Sequence, residues 1–413
     1  ADLLLYGMGE RGVVELARSV EHTGTLPVDL PGAVVFAQSV PPTGEHLVLP
    51  SFGEVKADGR AFNSALTTIW QHANPHRGKR LFQDQGGRTI CINPPAAPLT
   101  AVELDAIYDL PYTRRAHPSH LAPVPALETV RWSVVTHRGC YGGCRFCSIY
   151  FHQGPEIQSR SIRSLAGEVQ RFAADPLFRG TVSDLGGPSA NMYGTHCRVE
   201  GRKKGCTRES CLSPQVCPSL MTDQTQTLEL WDAVMALPKV KHCFVASGVR
   251  YDLALLHEKY LSRLIRERTG GHLKVAPEHI SDAVTSAMMK PGKEVFVRFL
   301  KRFASLKKPG QYLVPYMISS HPECDQRHMQ ELRSFMEKEG LKLEQAQDFI
   351  PLPMTFSGAM FHTGLHPFTG ESVFVEKSKQ GKLKQREVLS PAGAPSLRGN
   401  SLKRPRTSRK RRT

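Results

Sequence analysis

The sequence predicts an α/β protein whose main part is a partial (βα)6, TIM-like barrel. The remainder of an open, Rossmann-like α/β domain precedes this barrel, and a disordered basic tail follows it. Three observations carry the prediction: strand-like and helix-like segments alternate along the chain, loop motifs of unusual composition follow the strand-like segments, and the last residues are rich in arginine. We expect domains over residues 1–125, 126–392 and 393–413, with a cysteine-rich insertion near 195–220.

The first domain opens with a strand, a glycine turn and a helix, at residues 3–6, 7–9 and 13–20. This order is typical of one unit of an open α/β sheet, and because the chain starts directly within it, we expect further strands upstream. The Gly-x-Gly of the turn lacks the third glycine of the dinucleotide fingerprint, which favours a plain tight turn. Apolar residues on both sides of Asp84-Gln85-Gly86-Gly87 predict a hairpin.

The second domain is predicted from strand-like segments at 132–136, 181–185, 242–246, 272–276, 312–318 and 345–350. The segments between them place apolar residues at helical spacing, as Leu165, Val169 and Phe172 do. Parallel strands must be joined by a crossover, usually a helix, so the alternation favours a parallel sheet. Sites in parallel α/β barrels lie at the carboxyl ends of the strands, and glycines, prolines and polar residues follow each segment here.

The loop after the first strand contains Cys140, Cys144 and Cys147, with the spacing Cys-x3-Cys-x2-Cys. Thiolates hold iron–sulfur clusters, four of them for a cubane, so three thiolates from one loop leave the fourth iron open to a small molecule. A structural zinc site usually takes its ligands from two paired knuckles, which makes zinc the poorer interpretation. Disulfides are less favoured still, because three thiols cannot all pair with one another.

The chain resembles the radical S-adenosylmethionine (radical SAM) superfamily, and more closely its YgiQ-type family. The residues that carry the resemblance are 4–11 (LLYGMGER), 137–140 (HRGC), 184–188 (DLGGP), 191–194 (NMYG), 273–279 (LKVAPEH) and 312–316 (YLVPY). Members of that family begin further upstream. The resemblance implies a 4Fe-4S cluster on the three cysteines, with S-adenosylmethionine on the open iron. It further implies cleavage to a 5'-deoxyadenosyl radical, a one-electron reductant such as flavodoxin or ferredoxin, and a substrate that it does not identify.

The resemblance also implies cofactor contacts. Phe146 matches the aromatic position that lies against adenine. Gly186 and Gly187 match the glycine motif whose backbone receives the methionyl amino group. The sequence has no acid directly after this glycine pair, so only the backbone role transfers.

Four more polar residues are candidates for contacts with ribose, carboxylate or substrate because they lie at strand ends: Ser247, Arg250, Lys274 and Glu278. An ordinary strand-end polar group is an equally good interpretation of each. His279 and His321 are weaker candidates on the same grounds. No residue is assigned a catalytic role.

The predicted insertion contains a second cysteine group: Cys197, Cys206, Cys211 and Cys217. Their spacing fits neither a common zinc knuckle nor a ferredoxin. A second iron–sulfur cluster, a structural zinc, a redox pair and plain reduced thiols all stay open. The neighbouring basic residues suit a nucleic-acid substrate equally well.

The net charge of +16 is concentrated in the tail, where residues 398–413 hold eight Lys or Arg and no acid. Such a segment is expected to be disordered and to bind phosphate backbones, with a solvated tail of no function as the alternative. Ten cysteines, seven of them between Cys140 and Cys217, indicate a reducing compartment. No apolar run approaches the roughly 20 residues of a membrane span, so we expect a cytoplasmic protein without membrane association.

The leading functional hypothesis is a radical SAM enzyme with an unknown substrate. Basic charge and the sequence MMKPG at 288–292 suggest a first rival, an RNA-modifying enzyme resembling the methylthiotransferases, although no RNA-binding module is evident. A zinc-stabilised nucleic-acid-binding protein without catalysis is the second rival. The metal in the protein distinguishes this second rival from both enzyme hypotheses, because the rival predicts zinc and the enzymes predict iron.

Overall fold

The computed structural model describes residues 1–341 and 345–389 of a mixed α/β protein, so the predicted tail at 393–413 lies outside the described residues. A first unit is built around a five-stranded sheet. Its strands are β1 (Leu3–Leu5), β2 (Ala33–Ala37), β3 (His46–Val48), β4 (Arg80–Asp84) and β5 (Thr89–Ile92). Its helices are α1 (Glu10–Thr23), α2 (Phe52–Ala57), α3 (Gly59–His72), α4 (Ala101–Tyr108) and, at the junction with the second unit, α5 (Pro125–Val130).

The sheet of the first unit has the order β1-β2-β5-β4-β3, and only β3 and β4 pair in parallel. The predicted hairpin is confirmed, since β4 and β5 pair in antiparallel fashion around residues 84–89. The expectation of a Rossmann-like sheet is wrong for these residues, because a Rossmann sheet is mostly parallel. Residues 24–32 return the chain to the end of β1, where the Tyr6 N–H donates to the Gly32 carbonyl at 2.8 Å. The following strand therefore runs antiparallel to β1.

The second unit carries the remaining elements. Its strands are β6 (Ser133–Val135), β7 (His137–Arg138), β8 (Gln158–Ser159), β9 (Thr181–Val182), β10 (Asp184–Gly186), β11 (His196–Cys197), β12 (Leu220–Met221), β13 (His242–Cys243), β14 (His272–Glu278), β15 (Tyr312–Ser319) and β16 (Gln345–Asp348). Its helices are α6 (Ile149–Gln153), α7 (Ile162–Ala173), α8 (Thr225–Met235), α9 (Tyr251–Ala254), α10 (Glu258–Glu267), α11 (Asp282–Met288), α12 (Lys293–Leu306), α13 (Gln326–Lys338), α14 (Phe356–Thr363) and α15 (Lys379–Val388).

Parallel pairing joins the strands that the sequence predicts for this unit. β6 pairs with β10, β9 with β13, and β15 with both β14 and β16, each in parallel. β9 and β10 are consecutive parts of one interrupted strand, and a parallel bridge between Val249 and Val275 connects the third predicted strand region to β14. Within residues 1–341 and 345–389, no pairing closes these strands into a barrel.

Amphipathic helices cover the parallel strands, as α7 illustrates. The Ser161 side chain caps this helix by accepting a hydrogen bond from the Ser164 N–H. Leu165, Val169 and Phe172 lie one helical turn apart on one face and are buried in the main core. Burial of such side chains stabilises the fold by about 1.5–3 kcal/mol each.

An aromatic contact joins the two units. Trp70 of α3 packs edge-on against Phe356 of α14, with ring centroids 5.6 Å apart, and Phe151 of α6 meets the same Phe356 ring. Because α6 directly follows the loop that contains the three cysteines, residues 140–147, this contact places the first unit beside that loop. None of the described helices combines the length and the apolar character needed to cross a membrane.

Candidate functional site

The three-cysteine loop, residues 140–147, lies between β7 and α6 and is fixed by hydrogen bonds to distant segments. The Cys140 N–H donates to the Gly154 carbonyl at 3.0 Å, and the Arg145 N–H donates to the Met288 carbonyl at 3.1 Å. The Ser210 hydroxyl donates to the Gly142 carbonyl at 2.7 Å. Three separate parts of the chain thus position the loop.

The sulfur atoms of this loop lie around Gly142. A β carbon on that residue would lie 3.3 Å from the Cys140 Sγ and 3.8 Å from the Cys144 Sγ. Burial raises the pKa of the Cys140 thiol, and it raises that of Cys147 to about 12, with the neighbouring cysteines acting in the same direction. Without a metal these two thiols therefore keep their protons at neutral pH.

The donor set fits an iron–sulfur cluster, because thiolates are the ligands that such clusters take from a protein. Across the described parts of the chain, no group of three His, Cys, Asp or Glu side chains forms a site for a single ion. Three half-buried cysteines in one loop supply the sulfur ligands that a cluster requires.

A buried ion pair stands next to the loop. The Arg250 Nε and Nη2 donate to the Asp252 carboxylate at 3.0 and 2.5 Å. The remaining Nη1 donates to the Cys144 Sγ at 3.5 Å. Burial alone would raise the pKa of Asp252, but the Arg250 guanidinium holds it below its ordinary value. The structure thus brings Arg250 to a sulfur of the loop, as one fixed positive charge.

A cavity of about 610 Å³ opens beside the loop at the carboxyl ends of the parallel strands. Phe146 and Cys147 form one wall, and residues that follow or end β13, β14, β15 and β16 form the others. Lys274 and Glu278 of β14 line it, as does Asp348 of β16. The cavity therefore lies where a parallel α/β protein is expected to bind its ligand.

The glycine pair at the end of β10 packs tightly against neighbouring residues. A β carbon on Gly186 would overlap the Ser247 hydroxyl and would lie 2.7 Å from the Asp184 Oδ2. The Asp184 carboxylate accepts the backbone N–H of Ser247 at 3.0 Å and also the Ser247 hydroxyl. The Gly186 carbonyl accepts the Thr136 N–H at 2.7 Å. A β carbon on Gly187 would lie 2.8 Å from the His137 Nδ1, so neither position has space for a side chain.

Glu278 forms a second buried charge pair, with Lys290. The Lys290 Nζ lies 4.0 Å from the Glu278 Oε1, and both side chains are buried. Burial raises the pKa of Glu278, and the positive charges of Lys290 and Arg250 oppose this shift. Glu278 also has a positive φ of 67°, a strained conformation for a residue with a side chain. Strain of this kind clusters at binding sites.

The two weaker histidine candidates lie in the protein core. His321 shares hydrogen bonds with the Pro322 carbonyl at 2.6 Å and the Ser357 hydroxyl at 2.7 Å. His279 accepts the Ser281 N–H at 3.0 Å. Neither residue lines the cavity beside the loop. Their ring nitrogens have hydrogen-bond partners within the protein.

Sequence reasoning missed several charged residues of the site: Asp184, Asp252, Lys290 and Asp348. Asp348 ends β16 and could have been found by the strand-end criterion that selected Glu278. Asp252 and Lys290 follow strand-end motifs, and only the folded chain shows that they pair with Arg250 and Glu278. Asp184 starts β10, and its role follows from its contact with Ser247.

The second cysteine group lies directly behind the loop. The Cys211 N–H donates to the Tyr141 carbonyl at 3.1 Å, so the insertion contacts the loop backbone. Cys211 and Cys217 pack together with Cys140 around the buried Tyr141 and Leu212. The two cysteine groups are thus neighbours in space.

Comparison with solved structures finds distant likenesses. TsrM, a radical S-adenosylmethionine methyltransferase from Kitasatospora setae with cobalamin and a [4Fe-4S] cluster bound, is 14% identical with a TM-score of 0.47, covering 86% of this chain and 53% of that one. Methylornithine synthase (PylB) is 13% identical with a TM-score of 0.37, covering 71% and 74%. TM-scores this low support no inference about the function of this chain.

Comparison of sequences finds much closer relatives. The family described as Radical SAM N-terminal matches residues 1–133. A UPF0313 protein of Geobacter sulfurreducens is 47% identical, covering 94% of this chain and 65% of that protein. UPF0313 proteins of Methanosarcina acetivorans and Methanosarcina mazei are 42% and 40% identical over 98% of this chain, which covers 60% and 73% of them. The chain thus spans 60% to 65% of the length of two of these relatives. It belongs to the UPF0313, or YgiQ-type, family of radical SAM proteins.

Proposed function

We propose that this protein is a radical SAM enzyme in which Cys140, Cys144 and Cys147 hold a 4Fe-4S cluster that binds S-adenosylmethionine. The observation that carries the proposal is the position of the three-cysteine loop, whose last cysteine, Cys147, lines a cavity at the carboxyl ends of parallel strands. Family membership supports the same assignment. When bound, the cluster supplies the electron that cleaves a carbon–sulfur bond of S-adenosylmethionine into methionine and a 5'-deoxyadenosyl radical.

The chain's own residues would bind and orient the cofactor. Phe146 lines the cavity and offers its ring to adenine. The Gly186 carbonyl is already bonded to Thr136, so we assign the methionyl amino group to the carbonyl of Gly187. Asp184 fixes Ser247 beside this glycine pair, between the cavity-lining Ala246 and Gly248.

Charged residues would complete the site. Arg250 donates to a sulfur of the loop and stabilises its negative charge when the thiol is deprotonated. Glu278, Lys274 and Asp348 face the cavity and are our candidates for the ribose, the carboxylate or the substrate. The apolar part of the cavity wall excludes water, which protects a radical from side reactions.

We also propose that residues 126–392 form a partial (βα)6 barrel. The parallel pairs and the bridge to β14 support this, because they connect the six predicted strand regions in sequence order. Residues 1–125 would form a separate domain. A one-electron reductant such as flavodoxin or ferredoxin would be the natural partner.

Release of 5'-deoxyadenosine tests the function. Anaerobically reconstituted protein, given S-adenosylmethionine and dithionite, is expected to release 5'-deoxyadenosine, and Cys144→Ala is expected to abolish this release. Cys91→Ala, which removes a buried thiol of the first unit, is the matched control and should stay active. Iron-loaded protein that releases no 5'-deoxyadenosine would contradict the proposal, as would an active Cys144→Ala variant.

A further inference from the structure

Four thiols in the insertion have no role in the function proposed above: Cys197, Cys206, Cys211 and Cys217. The insertion is closed at its base by the antiparallel pair β11 and β12. The residues between these strands, 198–219, form neither helix nor strand. A segment this short buries little apolar surface, and small units of this kind usually need disulfides or a metal to hold one structure. All four cysteines are free thiols, which leaves a metal.

Backbone contacts bring the four thiols together in two pairs. The Gly201 N–H donates to the Cys197 Sγ at 3.3 Å, and the Cys206 N–H donates to the Gly201 carbonyl at 2.7 Å. A β carbon on Gly201 would lie 3.6 Å from the Cys197 Sγ and 3.7 Å from the Cys206 Sγ, so both sulfurs lie beside this glycine. The Cys217 N–H donates to the Cys211 carbonyl at 2.8 Å and forms the second pair.

The two pairs also lie close to each other. Cys197 lies opposite Leu220 in the antiparallel pair of β11 and β12. The Leu220 N–H donates to the Cys217 carbonyl at 2.9 Å, which places the second pair beside the first. A metal bound by all four sulfurs would replace the thiol protons.

Four thiolates suit either one tetrahedral zinc ion or a cubane. We choose the cubane because Cys211 and Cys217 pack together with Cys140 of the three-cysteine loop, whose own donor set fits iron and sulfide.

Positive charge around the insertion suits the same occupant. A cluster held by four thiolates is an anion, and residues 198–208 are rich in arginine and lysine. The Arg202 Nη1 donates to the Cys206 carbonyl at 3.4 Å, and the Arg208 Nε donates to the Ser210 carbonyl at 3.2 Å. Both guanidinium groups are thereby fixed next to the cysteines.

We propose that Cys197, Cys206, Cys211 and Cys217 bind a second 4Fe-4S cluster whose four irons are all ligated by protein thiolates. With no open iron, this cluster would not bind S-adenosylmethionine. It lies directly behind the three-cysteine loop, to which the insertion is joined by the Cys211 N–H and the Ser210 hydroxyl. The proposal does not depend on the reaction at the first cluster.

A variant that lacks the first site isolates the second one. The full chain carrying Cys140→Ala, Cys144→Ala and Cys147→Ala is reconstituted anaerobically with ferrous iron and sulfide, and iron, sulfide and zinc are counted per chain. We expect about four irons and four sulfides, roughly half the wild-type content. Protein with one zinc and no iron, or with no metal, would overturn the proposal.

The reciprocal variant tests the ligands. Cys206→Ala with Cys211→Ala in the wild-type chain should lose half of the iron, while the Cys91→Ala control should keep all of it. An unchanged iron content in the double variant would refute the ligand assignment. If the double variant does not fold, the iron count of the triple variant decides alone. The triple variant should release no 5'-deoxyadenosine while it keeps the iron of the second cluster. This result would show that the two sites bind metal independently.

Discussion

Removing the Asp252 carboxylate is expected to destabilise the protein by about 3–5 kcal/mol, the usual cost of leaving one member of a buried ion pair alone. The Arg250 and Asp252 side chains are only 8% and 11% exposed. In Asp252→Ala the guanidinium would keep its charge in the interior with one remaining partner, the Cys144 Sγ at 3.5 Å. The sulfur of a cysteine is a weak acceptor and replaces little of the lost interaction.

Thermal unfolding of the metal-free protein measures this cost. A loss of 1 kcal/mol lowers the Tm by roughly 2–4 °C for a unit of this size, so a loss of 3 kcal/mol predicts a decrease of about 6–12 °C. Asp232→Ala is the matched control, because Asp232 also pairs with an arginine, Arg263, but is 64% exposed. Exposed pairs contribute about 0–1 kcal/mol, so this variant should melt close to the wild type.

A double variant distinguishes the loss of the ion-pair attraction from the cost of leaving the Arg250 charge buried without a partner. Arg250→Met with Asp252→Ala removes both charges, so it should be less destabilised than Asp252→Ala alone. Two results would refute the reasoning: equal decreases of Tm in Asp252→Ala and Asp232→Ala, or a double variant that melts below the single one. The first result would mean that the pair contributes no more than a surface contact, and the second that an unpaired Arg250 charge is not the source of the destabilisation.

Three further predictions concern packing and titration. Gly186→Ala should lower the Tm and weaken S-adenosylmethionine binding, since its β carbon would overlap the Ser247 hydroxyl, whereas Gly248→Ala, with open space at that position, should keep the wild-type Tm. Burial lowers the pKa of His279 to about 3 and of His321 to about 4, so both take up a proton on unfolding below pH about 6.5. Stability should therefore decrease as the pH falls from about 6.5 towards 4, and a Tm that is flat across this range in the metal-free protein would contradict the assignment. Trp70→Ala should cost roughly 3–5 kcal/mol by opening the contact between the two units, which differential scanning calorimetry would detect as separate melting of the units; a single unchanged transition would argue against that contact.

Features that depend on neighbouring residues in the sequence were predictable. The six strand regions and the amphipathic α7 follow from apolar periodicity, and the hairpin of β4 and β5 follows from its glycine turn. Of the four residues that the strand-end rule selected, Glu278 and Lys274 line the cavity, whereas Ser247 and Arg250 do not. The predictions of strands, helix and hairpin succeeded because side-chain period and turn chemistry are local properties.

Features that depend on distant residues were not predictable. The Rossmann-like expectation for the first unit failed because the path of residues 24–32, rather than any motif, decides whether β2 runs parallel to β1. Arg250 was selected for a strand-end position, but its partner at the loop, Cys144, is more than a hundred residues away in the sequence. Pairing at such separation is decided by tertiary packing, which a single sequence does not display.

Within the protein, the charged residues around the three-cysteine loop balance one another. Two buried pairs surround it, Arg250 with Asp252 and Lys290 with Glu278, and each pair is neutral as a whole. The thiols of Cys140 and Cys147 keep their protons at neutral pH, so these two residues add no charge to the interior. Hydrogen bonds from distant segments hold its backbone. A cluster held by this loop would replace the thiol protons with iron. Because the Arg250 Nη1 already points at the Cys144 sulfur, the protein would reorganise little when the cluster binds.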